Sequence, residues 1–268
     1  MKLKEVRNRM TPPIFRDRNR RRKVIWEGVY EHYRDVPTDG LGFDENVWIE
    51  QTRRMTEMLL ESESFSPHVD TVFEDHAILP PTVVSLVGDA REATILDFGG
   101  GMGVSYIHLR QCLASTFTTW YHVVECPRVC QVGSVLLTAN GNMDENITFH
   151  ESLPESIPDL DLVYICSALQ YVEDYAGLLQ SLARLRPKAI LLAKTSAGDV
   201  PTYVTVQVNM PGLSVPYWIL NVDELVDIMA SAGYALRYQS VLPREYHQNN
   251  FPERYRFRRA RNLLFLQK

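Results

Sequence analysis

The sequence lacks several patterns that would assign a function directly. Its four cysteines, Cys112, Cys126, Cys130 and Cys166, include no C-x-x-C pair and do not stand at zinc spacing from histidines. No H-E-x-x-H or EF-hand pattern occurs, so no metal site is predicted. No apolar run approaches the ~20 residues that span a bilayer. The charged N-terminus has no apolar h-region, so we expect a cytoplasmic protein without a signal peptide.

The charge distribution argues against a nucleic-acid partner. The formal net charge is −5, yet residues 16–23 hold six basic side chains against one acid, and residues 254–261 hold five arginines and no acid. The remainder of the chain is therefore strongly acidic. Such a chain is not a generally basic nucleic-acid binder. Its 45% hydrophobic content is that of an ordinary globular protein.

The chain divides into three predicted parts. Residues 1–23 are polar, basic and interrupted by prolines, which predicts a flexible N-terminal segment. Residues 24–92 show helical periodicity, which predicts a helical cap or lid. Residues 93–268 alternate between short apolar runs and helical patterns, and form the third part.

The pattern of this third part predicts a doubly wound α/β fold. Strands are expected at 94–98, 120–125, 147–150, 162–166, 189–195, 235–242 and 262–267, and helices at about 103–114, 128–139, 173–186 and 222–232. Strands that alternate with helices indicate a mostly parallel sheet, covered on both faces. We expect seven strands, with an antiparallel strand at one edge because the last two strands follow each other without a helix.

A glycine-rich turn follows the first of these strands, in the segment Thr94-Ile-Leu-Asp-Phe-Gly-Gly-Gly-Met-Gly-Val-Ser. Glycine permits positive φ and lets a ligand approach the backbone closely. The dinucleotide fingerprint G-x-G-x-x-G fails here, because Val104 or Tyr106 stands where its last glycine is required. A P-loop fails too, since no Gly-Lys-Ser/Thr follows. The turn therefore predicts a ligand site of another kind.

The turn resembles the first motif of class I S-adenosylmethionine-dependent methyltransferases, Asp/Glu-x-Gly-x-Gly-x-Gly. The matching positions are Asp97, Gly99, Gly101 and Gly103. Glu125 ends the next predicted strand, 22 residues after Gly103, where the family's acid takes the ribose hydroxyls. Two further segments resemble the family's fourth strand with its loop and its late Ala-Gly-Tyr pattern: Asp161-Leu-Val-Tyr-Ile-Cys-Ser-Ala-Leu-Gln-Tyr-Val and Ser231-Ala-Gly-Tyr. The resemblance covers roughly residues 93–268.

The resemblance implies a Rossmann-like methyltransferase that uses S-adenosylmethionine, releases S-adenosylhomocysteine and needs no metal. It implies methyl transfer to a small-molecule acceptor, with O-methylation of a sugar or natural-product intermediate favoured. The residues expected at the cofactor are Asp97, Gly99, Gly100, Gly101, Gly103, Glu125, Cys126, Ser152, Ser167 and Ala168.

A narrower likeness gives a biological context for this reaction. Trp26-Glu-Gly-Val-Tyr, Leu96-Asp-Phe-Gly-Gly and Val206-Gln resemble methyltransferases encoded in bacterial polysaccharide (O-antigen) and natural-product gene clusters. This likeness indicates a setting in biosynthesis and leaves the acceptor unassigned.

The sequence indicates the residues that bind the methyl acceptor less directly than those that bind the cofactor. An alcohol acceptor gains from a general base, and the candidates for a catalytic role are His247, His76 and Tyr171. Gln170, Tyr171, Tyr30 and Arg256 are the candidates for substrate contact. The alternation Arg254-Tyr-Arg-Phe-Arg fits a strand with arginines on one face, and arginine forks suit phosphate or carboxylate. This predicts an anionic or carrier-linked acceptor, or a subunit contact in a homodimer.

Two alternatives of other classes stay open at this point. A nucleotide-dependent oxidoreductase uses the same architecture, and the failed dinucleotide fingerprint argues against it. A non-catalytic, methyltransferase-like binding partner would keep the glycines and both acids without turning over substrate.

Overall fold

The computed structural model describes residues 24–38, 46–61, 76–139, 146–210 and 213–268. The predicted basic segment 1–23 lies outside these residues, as does part of the predicted cap. No helix in the described ranges is long and apolar enough to cross a bilayer.

Eleven strands and six α-helices occur within these ranges. The strands are β1 Trp26–Tyr30, β2 Glu92–Phe98, β3 Thr118–Val124, β4 Ile147–His150, β5 Leu162–Cys166, β6 Ala189–Thr195, β7 Ala197–Gly198, β8 Tyr203–Met210, β9 Leu213–Asn221, β10 Tyr234–Val241 and β11 Arg261–Gln267. The helices are α1 Asn46–Glu61, α2 Leu79–Val87, α3 Val104–Cys112, α4 Pro127–Ala139, α5 Tyr175–Arg184 and α6 Val222–Ser231.

The main sheet has seven strands in the order β10-β11-β6-β5-β2-β3-β4. Strands β2 to β6 run parallel, and β11 runs antiparallel to both β6 and β10. The predicted mostly parallel α/β sheet is therefore confirmed, and its antiparallel strand lies one place in from the edge strand β10. Ile95 and Leu96 point to opposite faces and are both fully buried, which explains why the strands are apolar throughout.

The strand order places two loops side by side at one edge of the sheet. From β2 the chain continues to β3 and β4 on one side, then crosses to β5 on the other side of β2. Asp97 of β2 pairs with Tyr164 of β5, so the turn after β2 and the loop after β5 emerge together. This is the topological switch point, where open α/β sheets bind their ligands.

A second sheet, which the sequence analysis did not predict, has the order β1-β8-β9-β7. Its hairpin β8–β9 lies between β6 and α6 in the chain, and β1 pairs antiparallel with β8. The helical prediction is therefore wrong at Trp26–Tyr30. Gly28 has φ of +76°, which is incompatible with a helix, and the backbone of β1 finds its hydrogen bonds in β8.

Two α-helices lie in the described part of the predicted cap, at Asn46–Glu61 and Leu79–Val87, whereas residues 31–38 hold one 3₁₀ turn at Tyr33–Asp35 and otherwise irregular chain. Helix α1 packs against α3 and α4, with Ile49 in a buried cluster with Met102 and Val129. Helix α2 has Pro80 and Pro81 in its first turn. Proline has no backbone N–H, but an N–H in the first turn has no hydrogen-bond partner within the helix, so none is lost.

The predicted arginine-bearing strand at 254–258 is wrong. Glu253–Tyr255 form a single 3₁₀ turn, and the chain from Arg256 to Ala260 is irregular. The backbone N–H of Phe257 donates to the side-chain oxygen of Gln248 (2.6 Å) and the Phe257 ring is buried. Local side-chain contacts therefore replace the strand pairing that the alternation suggested.

Packing of the second sheet is tested by Ile219→Ala. The Ile219 side chain on β9 is fully buried in a cluster with Trp26, Tyr203 and Phe257. We expect the substitution to lower the free energy of unfolding by about 2–5 kcal/mol. The control Val135→Ala removes a side chain that is 60% exposed on α4 and should change it by less than about 0.5 kcal/mol. Denaturant titration measures both, and equal effects would contradict a packed second sheet.

Candidate active site

Asp97 is a buried carboxylate at the carboxyl end of β2. Its side chain is 1% exposed, and Oδ2 accepts hydrogen bonds from the Tyr121 hydroxyl (2.8 Å) and from the Ser105 hydroxyl. The pKa of this carboxyl is raised to about 6, chiefly by burial and to a smaller extent by the nearby Glu125, while the hydrogen bonds from Ser105 and Tyr121 partly offset the rise. Asp97 thus joins β2, β3 and α3 around one ionisable group.

The turn after β2 needs glycine at most of its positions. Gly99, Gly101 and Gly103 have φ of +71°, +58° and +84°. A Cβ at residue 99 would lie 2.4 Å from the Ala168 Cβ, and one at Gly100 would lie 2.6 Å from the Asp97 Cγ. The predicted turn therefore packs directly on Asp97 and on the loop after β5.

Glu125 directly follows β3 and faces the same turn. Its Oε1 accepts from the Gly101 N–H (3.2 Å) and its Oε2 accepts from the Cys126 N–H (2.9 Å). The two predicted acids, Asp97 and Glu125, thus both lie at the glycine turn. Two backbone N–H groups fix the orientation of the Glu125 carboxylate. Helix α1 borders this place, because Thr52 Cγ2 would lie 4.0 Å from a Cβ at Gly101.

Asp97 and Glu125 place two carboxylates close together at the turn. Among the described groups that shift the Asp97 pKa, one is the carboxylate of Glu125 and none is a lysine, arginine or histidine. Two carboxylates close together in a buried setting destabilise each other's ionised forms. A cationic ligand at the turn would relieve this repulsion.

The loop after β5 forms the other wall. Ser167 has φ of +54°, an uncommon value for a residue with a side chain, and its N–H donates to the Ala193 carbonyl of β6 (3.0 Å). This conformation turns the chain so that Ala168 contacts Gly99. The structure thus brings together the predicted cofactor residues Asp97, Gly99, Gly100, Gly101, Gly103, Glu125, Cys126, Ser167 and Ala168. Ser152 is exposed, two residues past β4 at the same sheet edge.

Gln170 and Tyr171 lie where this loop meets the second sheet. The Gln170 side chain is fully buried and donates from Nε2 to Ser167 Oγ (3.0 Å). The Tyr171 hydroxyl donates to Gln207 Oε1 of β8 (2.7 Å). Burial raises the pKa of Tyr171 well above its ordinary value, so its hydroxyl is a donor at neutral pH.

Residues of the second sheet complete this region, and the sequence analysis missed them. Tyr217 of β9 shares a hydrogen bond with Ser196 Oγ (2.6 Å) and packs edge-on against the Tyr171 ring. A period-2 run of valines, Val204, Val206 and Val208, was the available signal for β8. That signal predicts the strand but not which loop it contacts.

The other predicted acceptor-side residues are spread over the structure. His76 Nδ1 lies 2.9 Å from the hydroxyl of Tyr164, the middle residue of β5. His247 is exposed in the 242–260 loop. Tyr30 packs against the second sheet beside Val204 and Val206. Their roles as base or substrate contact stay predictions.

The C-terminal arginines contact protein groups. Arg256 Nε donates to the Phe251 carbonyl (3.0 Å), and Arg254 lies over the Tyr255 ring. Arg259 and Arg261 approach Glu245 (4.0 Å) and Asp199 (2.9 Å).

Several solved methyltransferase structures have the same architecture as this chain. A magnesium protoporphyrin IX methyltransferase from Synechocystis PCC 6803, with bound SAH, aligns with a TM-score of 0.53 at 13% identity, covering 84% of this chain and 96% of that one. A 1,6-didemethyltoxoflavin-N1-methyltransferase from Burkholderia thailandensis, with bound 1,6-didemethyltoxoflavin and S-adenosylhomocysteine, aligns with a TM-score of 0.50 at 15% identity, covering 80% and 89%.

A candidate sarcosine dimethylglycine methyltransferase from Galdieria sulphuraria aligns with a TM-score of 0.51 at 13% identity, covering 81% of this chain and 98% of that one. No protein-family model matches the chain, and no curated protein matches it significantly by sequence. At these identities the likeness establishes the fold alone. The chain has the fold of class I methyltransferases, as the motif resemblance implied.

The close approach at the turn is tested by comparing Gly99→Ala with Gly88→Ala. Both glycines have positive φ, but a Cβ at Gly88 meets no described atom within 4 Å, whereas one at Gly99 meets Ala168. Gly88 has φ of +56° and ψ of −122°, so Gly88→Ala should cost only the strain of this backbone conformation, about 1–3 kcal/mol. Gly99→Ala should cost about 1–3 kcal/mol more because of overpacking. Denaturant titration gives both values, and equal costs would contradict the contact between the two loops.

Proposed function

We propose that the chain is a methyltransferase that moves the methyl group of S-adenosylmethionine to an oxygen of a small-molecule acceptor. The observation that carries the proposal is the pair of carboxylates, Asp97 and Glu125, at a glycine turn on the switch point of a class I methyltransferase fold. A sugar or natural-product hydroxyl is the acceptor group that we favour.

The charge at the turn fits this cofactor. S-adenosylmethionine carries a sulfonium and an ammonium against one carboxylate, so its net charge is positive. Asp97 and Glu125 place two carboxylates at the turn, and the described groups that shift the pKa of Asp97 include no lysine, arginine or histidine. When bound, the cofactor supplies an electrophilic methyl group on its positively charged sulfur.

The chain's own residues would hold the cofactor in distinct ways. The turn Gly99–Gly103 supplies backbone that a ligand can approach without side chains intervening. Glu125 has two acceptor oxygens, which match the two vicinal hydroxyls of a ribose. Cys126, Ser152, Ser167 and Ala168 are proposed as the remaining contacts at the same sheet edge.

Positioning is the main contribution that the chain would make to the reaction. Methyl transfer from a sulfonium is an in-line displacement, and holding the two reactants in line lowers its barrier. The loop after β5 and the second sheet meet beside the glycine turn, which suits an acceptor held next to the cofactor. His76 and His247 remain the proposed candidates for accepting the proton of an acceptor hydroxyl.

The proposal is tested by calorimetry with S-adenosylmethionine, S-adenosylhomocysteine and NAD. We expect both sulfur compounds to bind and NAD not to bind. Glu125→Gln should weaken binding of S-adenosylmethionine by about tenfold or more, because charge-assisted hydrogen bonds contribute about 1.5–3 kcal/mol. The control Glu92→Gln changes an exposed acid at the first residue of β2, at the opposite end of this strand from the turn, and should leave the affinity unchanged.

Binding of NAD without either sulfur compound would contradict the proposal and favour an oxidoreductase. Binding of S-adenosylmethionine with equal affinity by wild type and Glu125→Gln would contradict the assignment of the ribose contact.

A further inference from the structure

We propose that the acceptor is recognised through an uncharged hydroxyl group, at a buried set of neutral polar side chains between the loop after β5 and the second sheet. This inference rests on the proposed function and names the substrate class of the same site. The set, called here the amide–hydroxyl cluster, consists of Ser167, Gln170, Tyr171, Ser196, Gln207 and Tyr217.

The amide–hydroxyl cluster is held together by hydrogen bonds and ring packing. Ser167 and Gln170 form one pair (3.0 Å), Ser196 and Tyr217 a second (2.6 Å), and Tyr171 and Gln207 a third. The Tyr171 and Tyr217 rings meet edge-on with their centroids 5.1 Å apart and so join the last two pairs. Gln207 is anchored in turn by donating to Asn209 Oδ1 (2.8 Å).

One atom of the cluster is left without a partner. Gln170 is fully buried, and its Oε1 accepts no hydrogen bond from any described residue. Buried amide oxygens are almost always paired, because an unpaired one loses its hydration without compensation. An oxygen in this state calls for a hydrogen-bond donor, and a ligand hydroxyl is such a donor.

The cluster lies next to the proposed cofactor turn. Ala168, between Ser167 and Gln170, is the residue that contacts Gly99. Ser167, Ala168 and Tyr171 are partly exposed, whereas Gln170 and Tyr217 lie behind them. A ligand in contact with the exposed members would therefore lie within reach of both the cluster and the methyl donor.

The electrostatics of the cluster favour a neutral group over an anion. Burial raises the pKa of both Tyr217 and Tyr171 well above the ordinary value of a tyrosine, so both hydroxyls stay uncharged. Arg244 is the single cation among the groups that act on Tyr217, and its effect is the smallest of them. Of the arginines that suggested an anionic acceptor, Arg254, Arg256, Arg259 and Arg261 have protein partners.

A hydroxyl satisfies this arrangement better than a carboxylate does. It donates one hydrogen bond, which Gln170 Oε1 requires, and it can accept one from the hydroxyl of Ser167, whose oxygen accepts from Gln170 Nε2. A carboxylate offers only acceptors, so it would leave Gln170 Oε1 unpaired and would lose its hydration among uncharged groups. The amide–hydroxyl cluster thus selects methyl acceptors that carry a hydrogen-bond donor.

The test is saturation-transfer NMR with matched alcohols and carboxylates on protein loaded with S-adenosylhomocysteine. The probes are benzyl alcohol against benzoate, and cyclohexylmethanol against cyclohexanecarboxylate. The variants are Gln170→Met and Tyr217→Phe, and the control is Gln180→Met, which changes an exposed glutamine on α5. Calorimetry with S-adenosylhomocysteine on each sample shows whether the cofactor site is formed.

We expect the alcohols to bind wild type and Gln180→Met, and the carboxylates to give no saturation transfer. Alcohol binding should be about tenfold weaker in Gln170→Met and reduced in Tyr217→Phe, while S-adenosylhomocysteine binds all four proteins alike. If Gln170→Met does not fold, Tyr217→Phe decides, because it keeps the ring and removes only the hydroxyl.

Three results would overturn the inference: preferred binding of the carboxylates, no binding of either alcohol to loaded wild type, or equal alcohol binding by wild type and the folded variants. A wild-type protein that does not bind S-adenosylhomocysteine would instead overturn the proposed function.

Discussion

Asp97 is ionisable and fully buried, and the candidate site is arranged around its carboxylate. Ser105 of α3 and Tyr121 of β3 donate to the same oxygen, so the helix after the turn and the neighbouring strand are tied to the end of β2. Gly100 packs on the carboxyl group so closely that a side chain there would collide with it. The position of the turn therefore depends on a group that is costly to bury.

The free-energy cost of burying Asp97 next to a second carboxylate, Glu125, is consistent with binding of a cationic ligand. Burial raises the pKa of Asp97 and the neighbouring Glu125 adds to the rise, which means that the ionised form is destabilised in the free protein. A positively charged ligand stabilises that form, so binding energy and electrostatic relief act together. The amide–hydroxyl cluster beside the turn consists of uncharged side chains. Its members form hydrogen bonds with one another, as Tyr171 does with Gln207 and Ser196 with Tyr217.

The part of the fold with strong local signals could be predicted from the sequence. The strands at Ile147–His150, Leu162–Cys166 and Ala189–Thr195 have the predicted bounds, because buried parallel strands read as short apolar runs between helices. Asp97 and Glu125 were identified through the resemblance to the methyltransferase motifs, at the ends of two successive predicted strands. Glu125 reaches the glycine turn, where its Oε1 accepts from the Gly101 N–H.

What escaped prediction depends on contacts between distant segments. Trp26–Tyr30 became a strand because residues about 180 positions later supply its partner, β8. Tyr217 and Gln207 joined the site through a hairpin whose docking no local pattern encodes. The alternation of arginine and aromatic residues near residue 256 has the period of a strand, but side-chain hydrogen bonds to the backbone hold that segment in another conformation.

The central claim is that the carboxylates at the turn bind a cation, and the pH dependence of S-adenosylmethionine affinity tests it most directly. Since the pKa of Asp97 is raised to about 6, its ionised fraction rises as pH passes upward through that value. If the bound state requires the ionised form, affinity measured by calorimetry should rise roughly tenfold from about pH 5 to about pH 7, then level off. Asp97→Asn should remove this dependence. An affinity that is constant over this range in the wild type, or that falls as pH rises, would contradict the account.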